Sequence, residues 1–185
     1  MHYTVIKSRR KTLALQIKGE ELIVRAPMKL SAREIEKFVQ EHSDWIDKHL
    51  EKARERLKRV EQIIPLTDDE IKALSKQAKV IFAERAAYYA AKLGVNYARI
   101  TVRRQTSRWG SCSGKGNLSF NLALVLAPPR VLDSVVVHEL CHRKEMNHSA
   151  RFYSEMERVF PDYKECREYL VKNGAELIAR VNKGR

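Results

Sequence analysis

The strongest constraint on the fold lies in residues 130–146, RVLDSVVVHELCHRKEM. The run has helical length, and Val131, Leu132, Val135, Val136, Val137, Leu140 and Cys141 place apolar groups around most of its circumference. A helix that is hydrophobic on nearly all sides has to be covered on nearly all sides. Yet this one carries His138, Glu139 and His142, and buried polar groups require partners. Residues four apart differ by about 40° around a helix axis, so the two imidazoles stack on one face. There they can reach a single ion at roughly 2.0–2.1 Å each without deforming the backbone. Glu139 lies about 100° round from His138, beside such an ion rather than on it. This is the H-E-x-x-H arrangement, in which the glutamate serves as general base. The competing reading is an ordinary helix with two histidines near its surface. Chance would place the pattern in about 2% of chains with six histidines and this glutamate content, and the apolar flanks disfavour a surface helix.

A hydrolytic zinc site takes three protein ligands and keeps one position open for water. His148 is the favoured third ligand, because the chain need turn only once, near Asn147, to bring it back. Glu155 and Glu157 on the next predicted helix are the alternatives. Three neutral imidazoles leave the full charge on the metal, which lowers the pKa of a bound water to about 7. The oxyanion that develops needs a second donor, for which Arg108, Tyr153 and Tyr163 are candidates.

Around this helix the pattern predicts an α+β chain. YTVIKS, TLALQIKG and ELIVRAP read as a small antiparallel meander. Ser31 and Glu34 have capping-box spacing and open one long helix that fades near residue 59. EQIIPLTDD is the best linker, which gives two parts, 1–64 and 65–185. A helix from about Asp68 ends at Gly94, and ARITVRRQ alternates as a strand. SRWGSCSGKGNLSFNLALVLAPP reads as a hairpin with its tip at 114–117. Two further helices are expected, from Ser149 to Phe160 and from Tyr163 to Lys172, the second stopped by Gly174.

The stretch from Ser107 to Tyr163 resembles the YgjP-like metallopeptidase domain, which is related to the minigluzincins. Its R-W-G-S-C element matches Arg108 to Cys112, its L-N-x-x-L hairpin matches Asn121 and Leu124, and Pro128 follows. H-E-L-x-H matches His138 to His142, N-H-S-x-x-F matches Asn147 to Phe152, and P-D-Y matches Pro161 to Tyr163. The opening KSRRKTLALQI, LIVRAP and DWI also fit. The resemblance implies a zincin-like core with a short antiparallel sheet and an active-site helix, and one zinc held by His138, His142 and His148. An aromatic residue often follows the sheet asparagine in this family. Leu122 stands there in this chain, which counts against an aromatic substrate contact at that position. Trp109 either lines the cleft with Arg108 or fills the core, with Gly110 marking a bulge. Asn121 either binds substrate by strand addition or closes the hairpin. Cys112 and Cys141 read as small buried residues.

Net charge and cysteines set the competing functions. The formal charge is +13, of which residues 1–60 carry +6 from 15 basic and 9 acidic side chains, so no single block dominates. Such a charge admits a nucleotide or nucleic-acid partner beside the expected peptide or protein substrate. One alternative is therefore a metal-dependent nucleoside triphosphate pyrophosphohydrolase, and another is a non-catalytic metal-stabilised module that binds nucleic acid. Three histidines suit zinc better than phosphate-handling magnesium, and a base beside an open site does not suit a structural zinc. Three widely spaced cysteines, no apolar leader and no membrane-length run point to a cytoplasmic protein.

Overall fold

The computed structural model describes residues 2–182. The chain divides into two compact units, Met1–Gln62 and Ile63–Arg185.

The first unit has three strands, β1 (Thr4–Ser8), β2 (Ala14–Lys18) and β3 (Glu21–Pro27), in the order β1-β3-β2. The expected meander is replaced by a mixed sheet: β2 and β3 form a hairpin, while β1 runs parallel to β3. Burial explains the exchange. Leu22, Ile23, Val24 and Ala26 make β3 the most apolar strand and it takes the centre, whereas all five residues of β1 are exposed at the edge. Gly19, at φ 61°, makes the turn between β2 and β3, where a side chain would be strained. The long helix expected next is two helices, α1 (Ala32–Glu41) and α2 (Ser43–Glu61). They part at His42, whose ring Nδ1 donates to the Phe38 carbonyl at 2.8 Å and whose ψ of 18° leaves the helical range. The Ser31–Glu34 capping box forms, with Ser31 N donating to Glu34 at 2.9 Å. Ile35, Val39 and Ile46 pack with Leu22, Val24 and Ala26 into the core of this unit.

The second unit begins with α3 (Asp68–Leu93), capped by Thr67 with Glu70 and ended by Gly94 in the left-handed region at φ 68°. Three short strands follow: β4 (Ile100–Arg103), β5 (Gly110–Cys112) and β6 (Leu118–Asn121). Their order is β4-β6-β5; β5 and β6 form the expected hairpin, but β4 joins in parallel, so the sheet is mixed rather than antiparallel. The hairpin is also shorter than its apolar run, because Leu122–Leu126 coils into a 3-10 helix capped by the Asn121 side chain. Helix α4 (Pro129–Cys141) comes next, then α5 (Ala150–Val159) and α6 (Tyr163–Asn182). Helix α6 runs through Gly174 instead of stopping there. A Cβ on Gly174 would lie 2.5 Å from Trp109 Cζ2, so this glycine is the notch that receives the indole.

Helix α4 is the centre of this unit. Among its thirteen residues Val131 to Val137 and Glu139 to Cys141 are all buried, and it packs against α3, α5, α6 and β5. Its buried Asp133 accepts two hydrogen bonds from the Arg85 guanidinium of α3, both at 2.6 Å, and one from the Tyr89 hydroxyl at 3.1 Å. Such a fork-to-carboxylate pair fixes helix register as well as adding stability. No helix among the described residues is long and apolar enough to cross a membrane.

The Asp133 network gives a first prediction. Asp133→Ala strands a partly buried guanidinium and is expected to cost about 2–3 kcal/mol, read as a lower urea midpoint. A loss below about 0.5 kcal/mol would show that the network does not hold α3 to α4.

Candidate metal centre

Helix α4 ends at Cys141, five residues before the end near Met146 that the sequence pattern suggests. Cys141 is its last residue and His142 its C-cap, still in the right-handed helical region at φ −63° and ψ −12°. His138 and His142 therefore keep their one-turn relation. Tight turns follow, with Arg143 N donating to Leu140 O at 2.9 Å and Lys144 N to Cys141 O at 3.0 Å. The chain then returns through 145–148 to Ser149, which caps α5 by accepting from Phe152 N. This reversal sets His148 beside His138, with their Nε2 atoms 3.0 Å apart.

Ligand-capable nitrogens of His138, His142 and His148 all lie within 4.8 Å of one another. Two nitrogens bound tetrahedrally at 2.0–2.1 Å would stand about 3.4 Å apart, so the cluster has the scale of a three-imidazole zinc site. The chemistry of the donors agrees. Burial first, then the neighbouring His142, His148 and Arg167, pushes the His138 imidazolium down to about 4, which leaves the neutral form with its lone pair. Burial also lowers His142. Its Nδ1 stands 3.1 Å from the Glu145 carbonyl. A carbonyl can only accept, so Nδ1 carries the proton and Nε2 is the free donor atom.

One ring supports all three. The Phe152 centroid lies 4.8 Å from that of His138, 4.7 Å from His142 and 4.8 Å from His148, and Phe152 is fully buried. Sequence reasoning placed Phe152 only as a motif position. Its distance of four residues from His148, at the start of a capped helix, is the signal that could have found it.

Glu139 is 4% exposed and points into the same cleft of about 300 Å³, which Gly110, Ser111, Cys112, His138, His142, Met146 and His148 complete. Burial raises its carboxyl to about 8, against the pull of the Arg108 charge. Gly110 owes its identity to this carboxylate: a Cβ there would lie 2.5 Å from Glu139 Oε1 and 2.7 Å from its Cγ. The glycine is thus a close-approach site within β5, paired in register with Phe120, rather than a bulge. Arg143 closes the far end. Its guanidinium donates to Asn96 O at 2.9 Å and Gly114 O at 3.0 Å, tying the hairpin tip to the end of α4.

The remaining candidates separate. Arg108 is exposed next to the cleft. Trp109 turns its indole onto α6 at Gly174 and packs with the core, which favours the filling role over the cleft. Asn121 is fully buried; its amide donates to Gln105 O at 2.8 Å and Arg108 O at 3.0 Å and its oxygen accepts from Ala123 N. Those bonds hold the 105–108 loop and leave nothing for a substrate. Tyr153 lies 6.3 Å from the His148 ring and 6.0 Å from Tyr163, and Tyr163 donates to Glu157. None of these five lines the cleft itself. The alternative ligands are engaged elsewhere, Glu155 with Lys144 and Arg158, and Glu157 with Lys164. Cys141 and Cys166 are buried and Cys112 half-buried, all as free thiols.

The family model of the YgjP-like metallopeptidase domain matches residues 11–72 and 65–173. The chain belongs to the YgjP-like metallopeptidase family. The match takes in both units and every residue of the histidine cluster. Solved structures similar to this YgjP-like chain include the metallopeptidase zymogen of Pyrococcus abyssi abylysin, at 23% identity and a TM-score of 0.45, covering 49% of this chain and 93% of that one. The metallopeptidase zymogen of Methanocaldococcus jannaschii jannalysin is similar at 20% identity and the same TM-score, covering 50% and 95%. No curated protein compared with the chain matches it.

The contact at Gly110 yields a second prediction. Gly110→Ala should cost about 1–3 kcal/mol by overpacking and displace the Glu139 carboxylate, while metal stoichiometry stays at the wild-type value. Urea unfolding and metal analysis check it. Unchanged stability would mean that β5 does not bear on Glu139.

Proposed function

We propose that this chain is a zinc-dependent peptidase, in which His138, His142 and His148 hold one zinc ion and Glu139 is the general base. The observation that carries the reading is a single cleft where three mutually close imidazoles face a buried carboxylate with no hydrogen-bond partner among the described residues. When bound, zinc supplies Lewis-acid polarisation and a nucleophile at neutral pH. Everything else is the work of the chain. Phe152 and the Glu145 carbonyl orient the imidazoles, which limits the reorganisation needed on binding. Glu139 is held by the wall at Gly110; a divalent cation on the neighbouring imidazoles would favour its ionised form against the burial that raises its carboxyl to about 8, and an Oε atom then takes the proton from the attacking water and returns it to the leaving nitrogen.

Two other readings fare worse on particular observations. Phosphoanhydride chemistry on magnesium needs carboxylate ligands, and Glu155 and Glu157 are taken up by Lys144, Arg158 and Lys164. A purely structural metal would leave the buried cost of Glu139 without a return. Free thiols at Cys112, Cys141 and Cys166 favour a reducing, cytoplasmic setting.

Purified full-length chain is expected to hold one zinc, lost in His138→Ala. Glu139→Gln should retain the zinc while cleavage of a peptide mixture falls by about 10²–10⁴-fold. Equal cleavage by Glu139→Gln, or unchanged zinc in His138→Ala, would refute the assignment. Turnover of nucleoside triphosphates but not peptides would select the phosphate chemistry instead.

A further inference from the structure

Two glycines of the second unit each make room for a neighbouring side chain, and the two contacts meet on consecutive residues. A Cβ on Gly174 of α6 would lie 2.5 Å from Trp109 Cζ2, 3.4 Å from Cη2 and 3.5 Å from Cε2, so the outer edge of the indole occupies the space that the glycine leaves. A Cβ on Gly110 would lie 2.5 Å from Glu139 Oε1, 2.7 Å from Cγ and 2.8 Å from Cδ. Trp109 and Gly110 are bonded to each other, so contact is unbroken from α6 to the carboxylate in the cleft.

Each joint of this path is stiff. The Trp109 carbonyl accepts from Asn121 N at 2.8 Å, and Gly110 pairs with Phe120 on β6. Phe120 and Asn121 are both fully buried. The chain leading into Trp109 is held as well. Asn121 donates to the Gln105 and Arg108 carbonyls, while Asn182 of α6 donates to Gln105 O at 3.4 Å and accepts from Arg104 Nε at 3.5 Å. Interiors packed this closely transmit a displacement instead of absorbing it. Gly174 and Asn182 both belong to the part of α6 beyond Lys172, where the sequence pattern suggests a stop. Neither lines the cleft, so that part of the helix bears on β5 from outside.

We propose that Trp109 and Gly174 are positioning residues for Glu139: the indole seated in the α6 notch fixes where Gly110 stands, and Gly110 fixes the carboxylate. The use of that carboxylate as a base rests on the peptidase reading above. Inside a helix alanine is otherwise favoured over glycine, so a loss on Gly174→Ala comes through the indole and not from α6 itself.

Structure and kinetics test the relay separately. Full-length wild type, Gly174→Ala, Trp109→Phe and the double variant would be crystallised and, loaded with zinc, assayed on a fluorogenic peptide that the wild type cleaves. Phenylalanine lacks the ring edge that meets position 174, so Trp109→Phe breaks the relay by itself. Gly174→Ala should shift the Glu139 carboxylate by more than about 0.5 Å. It should lower kcat by about 10-fold or more, with KM within about 2-fold of wild type. In the Trp109→Phe background the same change should cost less than about 2-fold in kcat. Val171→Ala, which trims an exposed side chain one turn earlier on α6, should behave as wild type. A carboxylate that stays within about 0.5 Å in Gly174→Ala, a loss carried by KM, or an equal loss in the Trp109→Phe background would overturn the proposal. If Gly174→Ala does not fold, Trp109→Phe decides: a shift and a kcat loss of the same size are expected, and wild-type values would overturn the relay. A wild type that cleaves no peptide refutes the peptidase reading alone, and the position of the carboxylate in the crystals then decides the relay.

Discussion

Three imidazoles share one phenyl ring, and the second unit is arranged around that contact. Phe152 touches His138, His142 and His148 at nearly equal centroid distances while its own side chain is fully buried. Two of those histidines belong to α4 and its cap, and the third precedes α5, so the ring joins the two halves of the reversal between them. An apolar floor supplies no competing hydrogen bond, and the aromatic edges and faces favour tilted contacts of the kind seen here. Burial beside that floor also disfavours the imidazolium form, which keeps His138 and His142 as lone-pair donors. Packing and ligand chemistry are thus produced by the same side chain.

The Glu139 side of the cleft follows a different rule, that of close approach. Glu139 is carried inward by the same helix, and only the missing Cβ of Gly110 lets β5 lie against it. β5 is in turn held by its pairing with β6, by Asn121 beneath the 105–108 loop, and by Arg143 at the hairpin tip. At the other end of α4, Asp133 is gripped by Arg85 and Tyr89. Helix and strand are fixed at both ends, so the carboxylate has little freedom of its own. Such preorganisation is what the general-base role proposed for Glu139 requires.

Much of this could be read from local pattern. The burial of α4, the helical spacing of His138 and His142, the Ser31 and Thr67 caps and the left-handed Gly94 are properties of neighbouring residues, and sequence displays those directly. What could not be read depends on partners distant in the chain. Gly174 has the look of a helix stop, and only Trp109 lying against it makes it an interior packing notch. β1 and β4 each join a sheet in parallel, although short strands close together suggest hairpins, because strand order is decided by which strand is most apolar on both faces. The 3-10 turn after Asn121 arises from a side-chain cap within an apolar run that otherwise reads as strand. Gly110 gave no local hint of Glu139, which is 29 residues away in the sequence.

The central claim is a mononuclear zinc held by three histidines with the glutamate beside it, outside bonding distance. A crystal structure of the zinc-loaded full-length chain, with anomalous data collected at the zinc edge, tests it most directly. One anomalous peak per chain is expected, bonded to nitrogens of His138, His142 and His148, with the Glu139 carboxylate unbonded and facing it. A peak bonded instead to Glu155, Glu157 or a cysteine, or one that takes Glu139 as a ligand, would contradict it.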